Sequence, residues 1–157
     1  MDIRDMIVIK PYNSDDLEAV IDIFQRAVRE TASKDYNEAQ IQAWSQVDRH
    51  RWQMRRQSRP TWLAWIDEQP AGFTDLEPDG HLDMMFVHPN YKGRGVATAL
   101  LNQVEAAARQ QRLGRLFTEA SITAKPFFEK RGFEIITAQQ VEIRGQVLQN
   151  FKMEKFL

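Results

Sequence analysis

Seven residues near the middle of the chain, Tyr91-Lys92-Gly93-Arg94-Gly95-Val96-Ala97, carry the pattern that decides its fold. An apolar run from His81 to Val87 precedes them and predicts a strand, and apolar residues at helical spacing follow to about Gln111 and predict a helix. Glycine lets backbone N–H groups converge, and a first helical turn leaves its N–H groups free. The pattern therefore predicts an anion site for a ligand that carries phosphate, with Lys92 and Arg94 adding positive charge.

The same seven residues also fit a plainer interpretation, a solvated turn that caps a surface helix, because two glycines beside basic residues are common. Two familiar nucleotide motifs do not fit. A P-loop requires G-x-x-x-x-G-K-S/T, which occurs nowhere in the chain, and a dinucleotide fingerprint requires a third glycine where this chain has Thr98. Both of these nucleotide-binding classes are thereby set aside.

Length and composition predict one globular domain over residues 1–157. Hydrophobic residues make up 43% and charged residues 27% of the 157, and the net charge of -1 gives no general attraction to nucleic acid or membrane. The absence of cysteine excludes a disulfide framework and a thiolate nucleophile, and the three scattered histidines favour no metal site. Because the first five residues are charged and lack the apolar region of a secretory signal, a cytoplasmic protein is expected.

Hydrophobic periodicity divides the rest of the chain into elements. Helices are predicted after the caps Asn13 or Ser14 and Tyr36 or Asn37 and over Thr123–Arg131, and the arginine-rich stretch from Arg49 to Arg59 reads as helix or loop. Gly114 is expected to stop the helix that follows the glycine turn. Further strands are predicted over Met6–Lys10, Trp62–Ile66, Ala71–Leu76, Leu116–Ala120, Phe133–Ala138, Gln140–Ile143 and Val147–Lys155.

These elements assemble most economically into an α/β (α+β) fold, a mixed and mostly antiparallel sheet with helices on both faces. The unit from His81 to Ala120 should form a right-handed crossover between parallel strands. The final strand, Val147 to Lys155, is expected to be an exposed edge, which leaves a homodimer possible.

Two segments resemble the GNAT acyltransferase superfamily. The stretch from Val87 to Leu101 looks like its acetyl-CoA motif, whose core Q/R-x-x-G-x-G/A is matched by Lys92, Gly95 and Ala97, with lysine in place of glutamine or arginine. The stretch from Ala120 to Phe133 is similar to the family's A-x-x-F-Y/F-x-x-x-G-F helix and strand. The resemblance covers nearly the whole chain. It implies a seven-stranded twisted sheet with about four helices, splayed between the fourth and fifth strands where acetyl-CoA inserts.

The resemblance also implies a cofactor site. The pyrophosphate would lie on the N–H groups of residues 92–98, and the pantetheine arm would pair with the strand that ends at Phe86 and Val87. Ser121 stands where relatives often have an asparagine that bonds the pantetheine, and Phe128 where many have a tyrosine that protonates the departing thiolate. The full predicted set is Met85, Phe86, Val87, Lys92, Gly93, Arg94, Gly95, Val96, Ala97, Thr98, Ser121 and Phe128.

Transfer of acetyl to an amine requires a base, because roughly 0.1% of an alkylammonium is unprotonated at neutral pH. Asp83 is the first candidate, since it interrupts an apolar strand and alternation puts it on the face of His81 and Met85. His81 and Glu119 are the second and third, and each could act through a water. The structural alternatives are an ion pair for Asp83, a surface position for His81 and a helix cap for Glu119.

The acceptor site has no recognisable signature. In relatives the first two helices border it, so Tyr36, Trp44 and Trp52 are the expected substrate-binding residues, with core packing as the alternative. The arginines of residues 49–59 would either recruit an acidic substrate or nucleic acid, or form a solvated helix face, which the near-neutral charge favours.

The favoured function is an N-acetyltransferase that moves acetyl from acetyl-CoA to a primary amine by direct attack in a ternary complex. The acceptor is expected to be a small-molecule amine or a peptide N-terminus, with no metal, nucleic acid or membrane partner. The alternative is an acyl-CoA-binding sensor or regulatory module with weak or no catalysis. It is suggested by Phe128, which lacks the hydroxyl that a tyrosine would use to protonate the thiolate.

Overall fold

The computed structural model describes residues 6–157, so the charged first five residues lie outside the described part of the chain. Strands and helices are mixed along the chain and the sheets are antiparallel, so the predicted α/β (α+β) class is confirmed. The elements are β1 (Val8–Pro11), α1 (Leu17–Arg26), α2 (Glu38–Trp44), α3 (Arg49–Ser58), β2 (Thr61–Ile66), β3 (Gln69–Asp75), β4 (Met85–Val87), α4 (Val96–Gln110), β5 (Arg115–Ser121), α5 (Lys125–Lys130), β6 (Glu134–Ile143) and β7 (Gln146–Phe156).

Side-chain caps begin α2, α3 and the 3-10 turn Ser14–Asp16 that leads into α1. Asn13 and Asn37 each form a capping box, in which the asparagine accepts from the backbone while the side chain three residues on accepts from the asparagine N–H. Asp48 accepts from the Arg51 N–H and starts α3, so the arginine-rich stretch is helical. A π-helical turn, Ala27–Thr31, extends α1, which helical periodicity did not predict.

Seven strands form two antiparallel sheets, ordered β1-β2-β3-β4 and β5-β7-β6. Within residues 6–157 a single parallel bridge, His81 to Phe117, joins the fourth-strand region to β5. There the Leu82 N–H donates to the Phe117 carbonyl at 2.9 Å and the Phe117 N–H to the Gly80 carbonyl at 3.1 Å. A Cβ on Gly80 would lie 2.2 Å from the Arg115 carbonyl oxygen, so this close approach requires glycine. Beyond the bridge β4 and β5 diverge, which is the expected splay.

The core lies on both faces of the first sheet. Leu63 and Ala64 are successive residues of β2 and point to opposite sides, Leu63 into a cluster with α1 and Ala64 into a cluster with α4. Both side chains are fully buried. The prediction of helices on both faces is thus confirmed. None of the helices among residues 6–157 is both long and apolar enough to cross a membrane.

The predicted strand from His81 to Val87 is wrong in extent, because only its last three residues, Met85–Val87, form β4. The cause is Asp75 at the end of β3. Its Oδ1 accepts the N–H groups of Asp83 at 2.9 Å and Met84 at 3.0 Å, and so withdraws them from the strand ladder. Leu82 and Met85, three residues apart, pack in the same cluster on α4, so strict alternation fails here. The alternation that placed Asp83 on the face of Met85 therefore does not apply.

Three further features differ from prediction: a strand boundary, the position of the final strand in its sheet, and the residue at a helix end. The expected strands Phe133–Ala138 and Gln140–Ile143 are one strand, β6, with an irregular register between Ile135 and Thr137. The final strand, β7, is not an exposed edge, because it lies between β5 and β6. Arg112, with φ of 59°, takes the left-handed position after α4, so the helix ends before Gly114, the residue expected to stop it. The homodimer stays a prediction.

Candidate active site

The turn between β4 and α4 depends on two glycines. Gly93 and Gly95 have φ angles of 79° and 84°, in the left-handed region that side chains disfavour. A Cβ on Gly93 would meet no atom within 4 Å beyond its chain neighbours, and one on Gly95 would meet the Cδ1 atom of Ile7 at 4.0 Å. The backbone conformation, rather than lack of space, therefore accounts for these glycines.

The same turn starts α4, with Gly95 as the N-cap. The first ladder bond runs from the Ala99 N–H to the Gly95 carbonyl at 3.0 Å, so the N–H groups of residues 96–98 precede the helical ladder. These groups carry the positive end of the helix dipole. The Thr98 hydroxyl accepts a 2.6 Å hydrogen bond from Arg131, which brings a guanidinium beside the helix start. This geometry fits a phosphate-bearing ligand.

A groove of about 230 Å³ lies between this turn, β4 and α5. The π-helical turn forms one of its walls through Ala27, Val28 and Thr31. β4 pairs with β3 on one edge only, and its other edge faces the splay, where an extended chain has backbone groups to pair with. The predicted cofactor residues that line the groove are Met85, Phe86, Val87, Lys92, Ala97, Ser121 and Phe128.

A second cavity of about 380 Å³ opens on the other side of the splay. Asp83 and Glu119 line it, while His81 lies behind them, and three side chains line both cavities: Trp44, Phe86 and Ser121. The two cavities thus meet between the ends of β4 and β5. We name the first the donor groove and the second the acceptor cavity.

Aromatic rings wall the acceptor cavity. Tyr36 packs edge to face on Trp44 at 5.5 Å, and Trp52 lies 4.8 Å from Phe24, which contacts Phe86 at 5.0 Å. The structure therefore brings together the three residues predicted to bind substrate. Tyr36 also has a structural task, because its hydroxyl donates to the Gln149 carbonyl at 2.6 Å and accepts from the Ile122 N–H at 2.9 Å. Burial raises the pKa of this phenol.

His81 links two carboxylates behind the acceptor cavity. Its Nε2 lies 2.8 Å from Glu119 and its Nδ1 lies 2.8 Å from Glu77. The hydrogen bond to Glu119 is the main cause that raises the pKa of His81 to about 9, with Glu77 also raising it against the effect of burial. At neutral pH the ring is then an imidazolium. This favours Glu119 or Asp83 over His81 as the proton acceptor.

Two arginines complete the charged network. Arg59 forms ion pairs with Glu77 at 2.8 Å and with Asp83 at 3.3 Å. Arg56 forms an ion pair with Asp75 at 3.0 Å, and the side chains of Arg56 and Asp75 are both wholly buried. Burial raises the pKa of Asp75, while Arg56 and the backbone N–H groups oppose that rise. Counting His81 as charged, four carboxylates (Asp75, Glu77, Asp83 and Glu119) face three cations. This network of seven groups therefore carries one excess negative charge. Asp83 and Glu119 are its two carboxylates that line the cavity.

Glu119 and Asp83 differ in how they are held. Asp83 forms an ion pair with Arg59, as its predicted structural alternative required, and it also lines the cavity. Glu119 is bound through Oε1 to His81, and within residues 6–157 its Oε2 accepts no hydrogen bond. Ser121 accepts from the Ala124 N–H at 3.0 Å, so its hydroxyl proton remains available where the cavities meet.

Sequence reasoning missed several residues of this site. Glu77, Arg59 and Asp75 organise the network, although each reads in the sequence as an ordinary charged surface residue. Glu77, His81 and Asp83 place three atoms of the kind that bind metal ions within 4.8 Å of one another. The guanidinium of Arg59 forms ion pairs with two of these residues, Glu77 and Asp83. Asn150 pairs with Ser121 across β5 and β7, and its buried Oδ1 has no hydrogen-bond partner among residues 6–157. The strand pattern gave no signal for it.

Comparisons with known proteins agree with this geometry. Residues 32–155 match the family model for the acetyltransferase (GNAT) domain. The chain is 42% identical over 147 residues to the N-acetyltransferase YafP of Escherichia coli strain K12, covering 94% of each chain. A GCN5-related N-acetyltransferase structure from Rhodopseudomonas palustris superposes with a TM-score of 0.92 at 34% identity, over 96% of this chain and 95% of that one. The PaiA N-acetyltransferase of Thermoplasma acidophilum, solved with coenzyme A, shares the fold with a TM-score of 0.75 at 20% identity, over 97% of this chain and 99% of that one.

Proposed function

The chain belongs to the GNAT family of acetyltransferases, and we propose that it moves acetyl from acetyl-CoA to a primary amine by direct attack within a ternary complex. One observation carries the proposal. The donor groove and the acceptor cavity are separate spaces that meet at Trp44, Phe86 and Ser121, so two ligands would contact each other only there.

On the donor side, the N–H groups of residues 92–98 would hold the diphosphate, with Lys92 and Arg94 beside it. The pantetheine would extend along the free edge of β4, past Met85, Phe86 and Val87, with Ser121 and Phe128 on the opposite wall. Acetyl-CoA supplies the activated acyl group when it is bound. A backbone N–H near Met85 or Phe86 would donate to the thioester oxygen, by the general logic of oxyanion stabilisation.

On the acceptor side, the neighbouring carboxylates of Asp83 and Glu119 suit an amine that arrives as an ammonium ion. Glu119 takes one of its protons through the unpartnered Oε2, directly or through a water, with Asp83 as the second carboxylate. His81 is then a positioning residue, because the imidazolium fixes the Oε1 end of Glu119. The freed nitrogen attacks the thioester carbon and forms the new N–C bond, after which the C–S bond breaks. The second proton that the nitrogen loses passes through a water at the junction to the departing thiolate.

Phe128 offers no proton to the departing thiolate. A thiol with a pKa of roughly 8.5 leaves without full protonation, so a water at the junction or the Ser121 hydroxyl suffices. The buried Phe128 instead packs at 5.0 Å against Phe133 and forms apolar wall. This keeps the proposed reaction independent of a tyrosine at that position.

The experiment is release of coenzyme A from acetyl-CoA in the presence of a broad panel of amines. We expect amine-dependent release that Glu119→Gln reduces strongly, while Glu129→Gln, an exposed carboxylate on α5, leaves it unchanged. Absence of release with every amine, by a protein that still binds coenzyme A, would contradict the proposed activity and favour a binding module.

A further inference from the structure

Two guanidinium groups line the same cavity as the two carboxylates. Arg55 comes from the last turn of α3 and Arg144 from the turn between β6 and β7. A cavity for a simple amine needs negative charge, which Asp83 and Glu119 already supply. Two guanidinium groups in the same cavity would suit a ligand that carries an anionic group in addition to its amine.

Arg55 is exceptional among the arginines of its helix. Its four neighbours in residues 49–59 each have a carboxylate partner, Arg49 with Glu18, Arg51 with Asp48, Arg56 with Asp75 and Arg59 with Glu77. Within the described chain, residues 6–157, the guanidinium of Arg55 makes no hydrogen bond or ion pair. Its exposed side chain contributes to the cavity wall beside Trp52. Arg55 is therefore the one arginine of residues 49–59 whose guanidinium has no carboxylate partner in the described chain.

Arg144 is held in place by the fold. It occupies a left-handed position, with φ of 44°, in the turn before Gly145. Its Nη1 donates to the Ala43 carbonyl at 2.8 Å and so ties the turn to α2. One N–H is used in this way, and an arginine has five in a planar fork that matches a carboxylate. Arg144 also lines the cavity, so its other N–H groups are candidates for a ligand there.

We infer that the acceptor is an amino carboxylate, an amine that also bears a carboxylate received by Arg55 and Arg144. This inference rests on the proposed function. The amino group would meet Glu119 and Asp83, the carboxylate would meet the two guanidiniums, and the aromatic wall would take the apolar body between them. A volume of about 380 Å³ suits a ligand of amino-acid or dipeptide size.

The test uses three matched pairs that differ by the carboxylate alone: alanine with ethylamine, leucine with 3-methylbutylamine, and phenylalanine with 2-phenylethylamine. Rates are compared at equal concentrations of unprotonated amine. We expect kcat/KM to be at least tenfold higher for the amino acid in one or more pairs, carried mainly by KM. Calorimetric binding of the same ligands to the protein loaded with coenzyme A should show the same preference.

Variants assign the preference to its residues. Arg55→Gln, and Arg144→Asn, which tolerates the left-handed turn, should each lower kcat/KM for the amino acid about tenfold and leave the plain amine within twofold. Arg51→Gln is the matched control, because Arg51 lies on the same helix, is 77% exposed and is not part of the cavity wall. Arg55→Lys should recover part of the preference.

Equal or better use of the plain amines in all three pairs, or equal loss for both members of a pair in the variants, would overturn the inference. Failure of the proposed function looks different, since no amine would then be acetylated. In that case the calorimetric comparison still decides, because an amino carboxylate site binds the amino acid more tightly than the amine whether or not transfer follows.

Discussion

The donor groove and the acceptor cavity are built in opposite ways. The proposed anion-binding end of the donor groove comes from one contiguous segment, residues 92–98, and would work through main-chain N–H groups. The acceptor cavity takes side chains from separate places in the chain, among them Trp52 on α3, Glu119 on β5 and Arg144 after β6. One half is a local backbone conformation, and the other is a long-range arrangement of charge.

This difference decides how each half responds to change. The donor half depends on φ angles that glycine permits, so a side chain of any kind at Gly95 is a disturbance. The acceptor half depends on side-chain charges, and Asp83 and Glu119 are part-exposed at its wall, so replacing either carboxylate by its amide should alter the site and leave the fold in place. We therefore expect donor binding and proton transfer to fail separately.

The largest effect should come from Gly95→Glu. A carboxylate at the start of α4 would face the diphosphate and would also strain the left-handed backbone, so we expect at least a thousandfold loss of kcat/KM for acetyl-CoA. Gly95→Ala is the matched variant, with the strain and without the charge. It should lose about 1 to 2 kcal/mol of stability and retain measurable turnover. Thermal shift with and without acetyl-CoA distinguishes the two, and equal shifts in parent and Gly95→Glu would contradict the donor site.

Glu119→Gln should break the acceptor half alone. Loss of the proton acceptor is expected to lower kcat about a hundredfold, with the affinity for coenzyme A unchanged. Asp83→Asn should lower kcat less, because Asp83 already shares its charge with Arg59 at 3.3 Å. Steady-state kinetics with both substrates varied gives these values. A larger loss in Asp83→Asn than in Glu119→Gln would assign the proton transfer to Asp83 instead.

The pH dependence of stability should reveal the charged network. Glu119 and Glu77 raise the pKa of folded His81 from 6.5 to about 9, so the stabilisation is fully present below pH 6.5 and is lost as the pH rises through 9. At a side chain 18% exposed, solvent screening reduces the effect to on the order of 2 kcal/mol.

Chemical denaturation of the parent and of His81→Gln between pH 6 and pH 10 isolates this contribution. The free energy of unfolding of the parent should fall towards that of the variant as the pH rises. Two curves that stay parallel over the whole range would show that His81 does not carry the charge in the folded protein.

The smallest effect is expected from Phe128→Tyr. The ring is 4% exposed and lies in the wall of the donor groove, where a hydroxyl adds a possible acid near the departing thiolate. Because that thiolate leaves readily without an acid, kcat should change less than about threefold. A tenfold gain in kcat would mean that protonation of the thiolate limits the reaction and that this chain lacks a group it needs.

The fold follows from sequence patterns wherever the controlling interaction is local. The Asn37 cap, the Arg144-Gly145 turn and the helix after Gly95 depend on residues within a few positions of one another. The apolar pattern overextends the fourth strand because a carboxylate outside that run, Asp75, takes its N–H groups. The register of β7 between β5 and β6 is likewise a long-range result that alternation alone does not determine.

The site divides in the same way. The glycine motif indicates the predicted anion-binding residues 92–98 together, because they form one segment of the sequence. Asp83, His81 and Glu119 are recognisable separately as chemically capable groups, but nothing in the sequence indicates that Glu77 and Arg59 connect them. Arg55 and Arg144 lie 89 positions apart in the numbering and share a cavity only after folding.

Calorimetric titration of coenzyme A into the parent, into Gly95→Glu and into the double variant Asp83→Asn/Glu119→Gln tests the separation of the two halves most directly. We predict one coenzyme A per chain, with the same dissociation constant in the parent and the double variant and no detectable binding in Gly95→Glu. No uptake by the parent, or uptake by Gly95→Glu equal to that of the parent, would contradict the account.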